Sequence, residues 1–344
     1  MAIFVDRLYV NQEFHDGETP DLFNGVVCRY DADGVQEWMQ PSASVMEGSH
    51  DTRILAKSFG GRAFLRGNPG RFGRNDNVFN LDWQQTWDKV NRLCDRFGMR
   101  RFTFGDRSYN VSERDAAYGV TSVWTGATVS ALDCTSNFST GSKGNAFLFL
   151  QWLEGQHVER IRGGVARQGS VRFGEGNGLQ VEAYYKADEM IAHAKNEDQR
   201  KRIKASPLWQ WLNDLGVVRL EVRAKRTHLR DRNMGYAGGI TMEKITQLYN
   251  DKTSVVRRIS NDVDAFDFSA LSFRSAGVAR EYLAGADVRS RLPVSSFYRI
   301  RRELLAYGLD IATPNRVRQI LPRVKVIDLK PVEAPSWYWQ QEAA

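Results

Sequence analysis

The sequence predicts an α+β protein: an antiparallel sheet with helices packed on one of its faces, followed by a mainly helical C-terminal region. Three observations carry this reading. LQVEAYYK and GVVRLEVRAK alternate apolar and polar residues with the period of two that a half-buried strand requires. Short apolar runs separated by polar turns fill the first 66 residues. Apolar residues recur at three- and four-residue spacing in Trp83 to Phe97 and again in Ser295 to Gly308, as in helices that bury one face.

Along the chain, Ile3 to Tyr9, Gly25 to Tyr30, Ile54 to Ser58 and Arg62 to Leu65 read as strands, followed by the Gly/Arg loop GNPGRFGRNDN over Gly67 to Asn77. Asp82 caps a helix over Trp83 to Phe97, with Trp83, Trp87, Val90 and Cys94 on its stripe and Gly98 ending it. Val120 to Phe138 reads as a strand, STGS as a turn and Asn145 to Leu153 as a helix. In LQVEAYYK, Leu179, Val181, Ala183 and Tyr185 share one face, and Gln180, Glu182, Tyr184 and Lys186 the other. In GVVRLEVRAK, Val218, Leu220, Val222 and Ala224 oppose Arg219, Glu221, Arg223 and Lys225. Between them a helical stretch, Ala187 to about Leu215, carries the basic run Arg200 to Lys204. Past residue 226 the pattern is helical; its clearest piece has Ser295 as cap, Phe297, Ile300 and Leu304 as stripe, and Gly308 as stop. A strand over Val324 to Leu329 and a tail with Trp337, Tyr338 and Trp339 close the chain. The expected division is a strand-rich domain over 1–225 and a helical one over 226–344.

Composition narrows the function. At 344 residues, 42% hydrophobic and 26% charged, the chain is neither a small disulfide scaffold nor a collagenous or disordered polymer. The 48 Lys+Arg against 41 Asp+Glu leave +7, which fits a polyanionic partner and equally fits ordinary surface charge. Only 12 of the basic residues are Lys and 36 are Arg, whose planar fork matches phosphates and base edges. An Arg-rich genome explains part of that bias. Cys28, Cys94 and Cys134 are distant and odd in number, which excludes a disulfide framework and a Cys-type zinc site and fits a reducing compartment. Asp6 and Arg7 interrupt the N-terminal apolar stretch, and the run from Ala146 to Leu153 is far too short to span a membrane, so no membrane association is expected.

The polar faces of the two alternating strands hold the chemistry. Tyr184 and Lys186, with Glu182 and Glu221, lie on what reads as one sheet surface. A phenol is a poor nucleophile at its free pKa near ~10 and needs a polarised phosphate or a nearby cation. Carboxylates holding Mg²⁺ or Mn²⁺ polarise a phosphate, and Lys186 can stabilise charge on it. Asp133, in TVSALDCTS, is a third carboxylate. An outward Tyr, Glu and Lys can equally be a solvated face, Glu221 between Arg219 and Arg223 a surface ion-pair ladder, and Asp133 a turn cap. No His-x-His pair or zinc-ligand spacing occurs, so a metal site is assembled from distant, mostly oxygen ligands.

GNPGRFGRNDNVF, LDCTSNFSTGS followed by a helix, VEAYYKADEM, VVRLEVRAK and the terminal VIDLKPVEAPSWY occur in an order that resembles the filamentous-phage (inovirus) replication initiators, the gene II/X family of rolling-circle proteins. The resemblance runs from about residue 50 to the C-terminus. It implies an antiparallel sheet similar to that of the HUH endonucleases, with a ferredoxin-like core. It also implies nicking of one strand of double-stranded origin DNA through a 5′-phosphotyrosine, then rejoining of the displaced single strand. The family pattern Ala-Tyr-x-Lys-x-x-Glu falls on Ala183, Tyr184, Lys186 and Glu189, which selects Tyr184, as the face alternation does, with Lys186 as its helper. Asp133 and Glu221 match family acidic positions and, with Glu182, are implied metal ligands or their supports. Two departures stand out. Ala131 occupies a place where relatives often carry Arg, and Asn75-Asp76-Asn77 replaces a Gly-His-Asn, leaving Asp76 or the distant His50 as further donors.

The resemblance further implies Mg²⁺ or Mn²⁺ as cofactor, a host helicase and polymerase as partners, and the host bacterial cytoplasm as location. No GxxxxGK[ST] element is present, in keeping with a strand transfer that conserves bond energy and needs no nucleotide. Arg62, Arg66, Arg71, Arg74, Arg100, Arg101 and Arg107 are candidates to grip DNA phosphates, and Arg299 and Arg302 on the Ser295 to Gly308 helix to read bases. The alternatives are a non-catalytic origin or single-stranded DNA-binding protein of the same lineage, or an unrelated repressor.

Overall fold

The computed structural model describes residues 2–14, 19–110, 121–154, 165–167, 169–174, 178–261, 271–283, 286–306, 309–312, 327 and 329–339. By packing, the chain divides into two units built from separate stretches. One comprises Met1–Ala2, Ser136–Val222 and Tyr249–Ala344; the other comprises Ile3–Thr135 and Arg223–Leu248. The expected single cut at residue 225 is not where this division falls: residues 223–248 pack with the N-terminal part of the chain.

In the second of these units, β1 (Phe4–Glu13) is followed by the hairpin β2 (Val26–Tyr30) and β3 (Gln36–Pro41), then β4 (Ser44–Glu47), β5 (Arg53–Phe59) and β6 (Arg62–Gly67). β3 and β4 were not expected from the sequence. QEWMQP has no alternation to read, and its exposed residues show that no core imposes one. β1, β4, β5 and β6 form an antiparallel ladder in the order β1-β6-β5-β4. The helix α1 (Trp83–Arg96) starts as expected: the Asp82 carboxylate accepts from Gln85 N at 2.8 Å, and the Gln85 side chain accepts from Asp82 N at 3.2 Å. It buries Trp83, Trp87, Val90, Leu93 and Cys94 against β1, and Phe97 caps it before Gly98 turns the chain.

The expected strand Val120 to Phe138 is two strands, β7 (Arg107–Asn110) pairing with β8 (Thr121–Trp124), and β9 (Thr128–Ser139) pairing with β1. The break has a steric cause. The Gly126 backbone lies so close to Phe104 O and Gly105 that a Cβ would not fit, which fixes the chain between β8 and β9. Beyond the Gly/Arg loop, buried Asp6 on β1 accepts hydrogen bonds from Asn68 (2.8 Å), Asn80 (3.1 Å) and Asn77 (3.2 Å). A buried carboxylate needs such donors, and here they tie the loop to the sheet.

The boundary between units falls inside β9, and the first unit continues with α2 (Lys143–Glu154), β10 (Val165–Arg167), β11 (Ser170–Phe173) and β12 (Leu179–Tyr185). The stretch expected as one helix is three: α3 (Lys186–Ala192), α4 (Glu197–Ala205) and α5 (Pro207–Asp214). Asn196 caps α4 and Ser206 caps α5, so each restart is written in a capping side chain. β13 (Val217–Lys225) follows, and the sheet order here is β10-β11-β12-β13-β9. α2 packs on β11 and β12.

The remaining elements are α6 (Arg226–Asp231), α7 (Met242–Asn261), α8 (Phe273–Leu283), α9 (Val288–Arg291), α10 (Val294–Leu305) and β14 (Lys330–Pro331), which pairs with the end of β9. The last three helices share a core that includes Ala279, Tyr282, Val288, Phe297, Ile300 and Leu304. α10 is capped by Pro293 rather than by Ser295, which lies inside its first turn; Pro fixes the entering backbone without a side-chain bond. Gly308 and most of the expected strand Val324 to Leu329 lie outside the described residues. Among the described residues no helix is long and apolar enough to cross a membrane.

Candidate active site

Strand alternation on β12 separates two adjacent tyrosines. Tyr185 faces α2, where its ring lies 5.3 Å from that of Phe147 and its hydroxyl donates to Asn213 Oδ1 at 3.0 Å. Burial pushes its phenol pKa up, and the nearby Asp188 and Asp214 push it further. Tyr184 points to the opposite face, is only partly buried, and places its hydroxyl 3.5 Å from Glu221 Oε2 on β13. A phenol beside a carboxylate has an acceptor for its proton at the moment it attacks.

Lys186 is not on the face where alternation put it. The chain turns helical at this residue, which ends the two-residue period and carries the side chain into the protein interior, 0% exposed. Its ammonium sits 2.6 Å from Glu189 Oε2 and 5.8 Å from the centre of the Tyr184 ring. Burial alone would raise the Glu189 pKa, but Lys186, His193 and Arg219 outweigh it and hold the carboxyl well below the usual carboxylate range. His193 Nε2 lies 3.5 Å from the other Glu189 oxygen.

The polar face that was expected as a working surface is polar but largely covered. Arg219 is 0% exposed and bonds Asn137 Oδ1 at 2.9 Å, Glu221 is buried, and buried Glu182 pairs with Arg172 at 3.0 Å. Of the implied metal ligands, Glu182 and Glu221 lie in the same unit as Tyr184, on neighbouring strands. The other three lie in the second unit, each in its own setting. Asp133, 2% exposed, is ion-paired with Arg7 at 2.8 Å and lies 3.7 Å from Arg223 Nε. Asp76 accepts from Val78 N at 2.8 Å within its loop, and His50 is exposed in the β4–β5 turn at φ 58°. Among the described residues no three His, Cys, Asp or Glu side chains are placed to hold a metal ion, so the five do not form one preformed site. Sequence alone does not reveal that Asp133 is already neutralised by guanidiniums.

The candidate DNA contacts are distributed. In the second unit, exposed Arg62 pairs with Glu13 at 3.1 Å, and Arg101 is held by both oxygens of Asp95 at 2.7 and 2.6 Å. Arg66 covers the Tyr9 ring at 4.2 Å and Arg100 the Phe14 ring at 4.6 Å, while Arg71 and Arg74 lie half-buried in the Gly/Arg loop. The Arg107 side chain lies outside the described residues. In the first unit, Arg299 and Arg302 are exposed on one side of α10, whereas Arg301 is bound bidentate to Asp310 at 2.7 and 2.8 Å. Sequence reasoning gave no role to Arg172, Arg219, Asn137, Glu189 or His193. The i,i+3 spacing of Lys186 and Glu189 was the available signal, once that stretch is read as helix.

Comparison with known proteins sets this geometry in a lineage. Residues 9–243 match the N-terminal family model of the gene II-type phage replication-associated protein, and residues 278–343 match the C-terminal model of the same protein. The chain is 26% identical over 307 residues to the gene II-type replication-associated protein of Escherichia phage If1, covering 80% of this chain and 93% of that protein. A rolling circle replication initiator protein from Geobacillus stearothermophilus overlaps 73% of this chain and 85% of its own at 11% identity, with a TM-score of 0.29, too low to establish a shared fold.

Proposed function

Since the chain belongs to the gene II-type family of phage replication-associated proteins, it is a DNA-replication protein, and we propose that it initiates rolling-circle replication by nicking one strand of origin DNA with Tyr184. The observation that supports this is the Tyr184 hydroxyl beside the Glu221 carboxylate, on the face of β12 away from the buried Tyr185.

In the proposed reaction the Tyr184 oxygen attacks the scissile phosphorus while its proton passes to Glu221. The bond between phosphorus and the 3′ oxygen breaks, and that oxygen takes a proton from water and leaves as a free 3′ hydroxyl for synthesis. The 5′ phosphate stays on Tyr184. In rejoining, a 3′ hydroxyl attacks the phosphotyrosine, the phosphodiester re-forms and the phenol regains its proton. Lys186 acts from behind the Tyr184 ring rather than at the phosphate, because its ammonium is buried against Glu189.

The donors beside Tyr184 are carboxylates only, Glu221 and Glu182, and this set fits Mg²⁺ or Mn²⁺, which binds through one or two carboxylates and completes its shell with phosphate and water. When bound, such an ion supplies charge neutralisation at the phosphate. We place the exposed arginines of α10, Arg299 and Arg302, on duplex origin DNA, and those at Arg62, Arg66, Arg71, Arg74, Arg100 and Arg101 along the phosphate backbone. Strand separation and synthesis are assigned to a host helicase and polymerase in the bacterial cytoplasm.

The test is incubation of supercoiled origin plasmid with the protein and Mg²⁺ or Mn²⁺, followed by gel separation with and without protease. The expected product is a nicked circle bearing covalent protein, absent with Tyr184→Phe. Nicking by Tyr184→Phe at the parent rate would overturn the assignment. Binding without any nicking by the parent would favour the non-catalytic reading.

A further inference from the structure

Two cations lie fully buried in the unit that carries Tyr184: Lys186 and Arg219, both 0% exposed. Cations inside a protein are retained only when a counter-charge is built in beside them. For both the same carboxylate serves: Glu189 touches Lys186 at 2.6 Å and interacts electrostatically with Arg219, while His193 approaches its second oxygen at 3.5 Å. Lys186 in turn lies over the ring of Tyr184 at 5.8 Å. One carboxylate thus sets where the ammonium under the tyrosine ring can be, and it does so from α3, the helix that begins immediately after Tyr185.

Resting on the reading of Tyr184 as nucleophile, we propose that Glu189 is a positioning residue of strand nicking: it holds the Lys186 ammonium against the Tyr184 ring, and that contact keeps the hydroxyl aimed at Glu221. Glu189 itself touches neither phosphate nor phenol. Its contribution is to the alignment of the attacking oxygen, and misalignment by about an ångström costs on the order of 10²-fold in rate. Arg219, fixed independently by Asn137, keeps its own place when Glu189 changes.

The experiment is single-turnover formation of the covalent adduct on a single-stranded origin oligonucleotide, at saturating DNA, with DNA affinity measured in parallel. Glu189→Gln keeps shape and hydrogen bonding but removes the charge. It is expected to slow adduct formation ~10- to 100-fold while leaving affinity within about twofold, and Glu189→Asp is expected to recover a large part of the rate. Lys186→Met is expected to slow the reaction by a similar factor, and the double variant Lys186→Met with Glu189→Gln to be no slower than either alone, because the two residues act through one contact. Adduct formation at the parent rate in Glu189→Gln, or a double variant slowed by the product of the two single effects, would overturn the proposal. If Glu189→Gln does not fold, Lys186→Arg serves: it retains the ion pair but cannot lie at the same place under the ring. Slow adduct formation with parent affinity then supports the proposal, and the parent rate overturns it. Tyr184→Phe separates the two levels of the argument. An adduct in that variant discards the nucleophile, whereas a dead Tyr184→Phe with an unimpaired Glu189→Gln discards only the positioning role.

Discussion

Arg7 and Asp133 face each other in the register of β1 and β9, with Nε 2.8 Å from Oδ2 and the carboxylate almost wholly removed from solvent. Arg223, at 3.7 Å, adds a second guanidinium to the same oxygen. This is the arrangement of a structural ion pair. Arg7→Met leaves Asp133 buried with only the more distant partner, and the expected loss is about 1–3 kcal/mol, the range for a buried charged acceptor deprived of a donor. Arg7 is itself partly exposed, which keeps the loss below that of a fully interior pair. Urea unfolding at neutral pH measures it; a midpoint unchanged from the parent would show that the contact is dispensable.

Tyr185→Phe removes one hydroxyl whose partner is Asn213 Oδ1 and nothing on the Tyr184 side of the strand. Covalent adduct formation is expected to persist, with about 0.5–1.5 kcal/mol lost from stability. If adduct formation vanishes while the protein stays folded, the two tyrosines have been assigned the wrong way round.

Glu189 makes the acid limb of stability informative. Burial pushes its carboxyl up, yet Lys186, His193 and Arg219 hold it below its ordinary value of 4.5. A carboxyl depressed in the folded state contributes fully above that ordinary value, and the contribution disappears as pH falls toward the folded pKa, where the native state also takes up the proton. The parent should therefore lose more stability than Glu189→Gln between about pH 5 and about pH 3. Parallel losses, read from thermal unfolding at each pH, would contradict the interaction.

Gly216 precedes β13 at φ +57°, and a Cβ there would strike the Ser142 carbonyl oxygen and the Thr140 hydroxyl. Gly216→Ala incurs both the left-handed backbone cost and a clash that a backbone carbonyl cannot relieve. A loss of at least about 2 kcal/mol is expected from the two together. Denaturant unfolding decides it, and a loss under half that size would mean the turn can relax.

For α10, replacing Arg299 and Arg302 with Gln is expected to flatten the dependence of log affinity on log salt by about 2 for duplex origin DNA, roughly one per phosphate contact removed. Anisotropy titrations across salt concentrations give the slope. An unaltered slope with unaltered affinity would leave that helix face without a DNA role.

Much of this was legible in the chain itself. Asp82, the Trp83, Trp87, Val90, Cys94 stripe and Gly98 announce α1 from end to end because capping and periodicity are local. The alternation of β12 gave the opposite orientations of Tyr184 and Tyr185 for the same reason. Lys186 was misplaced because the switch from strand to helix one residue earlier than expected is decided by what α3 packs against. Asp133 and Arg7 are 126 positions apart in sequence and meet only through strand pairing, so no spacing could announce them. Asp6 is similar: a lone acid in an apolar strand and an Asn-rich loop each look ordinary until the loop closes over the carboxylate.

The interleaving of the two units constrains how the polypeptide matures on the ribosome. The unit that opens with β1 is completed by Arg223–Leu248, so its N-terminal 133 residues, Ile3–Thr135, must wait for the whole of Ser136–Val222 to be synthesised before their last segment arrives. A translation product halted at residue 225 would lack nearly all of that closing segment. Neither half can be harvested with a single proteolytic cut, and a separately expressed nuclease module would have to carry the chain through Leu248.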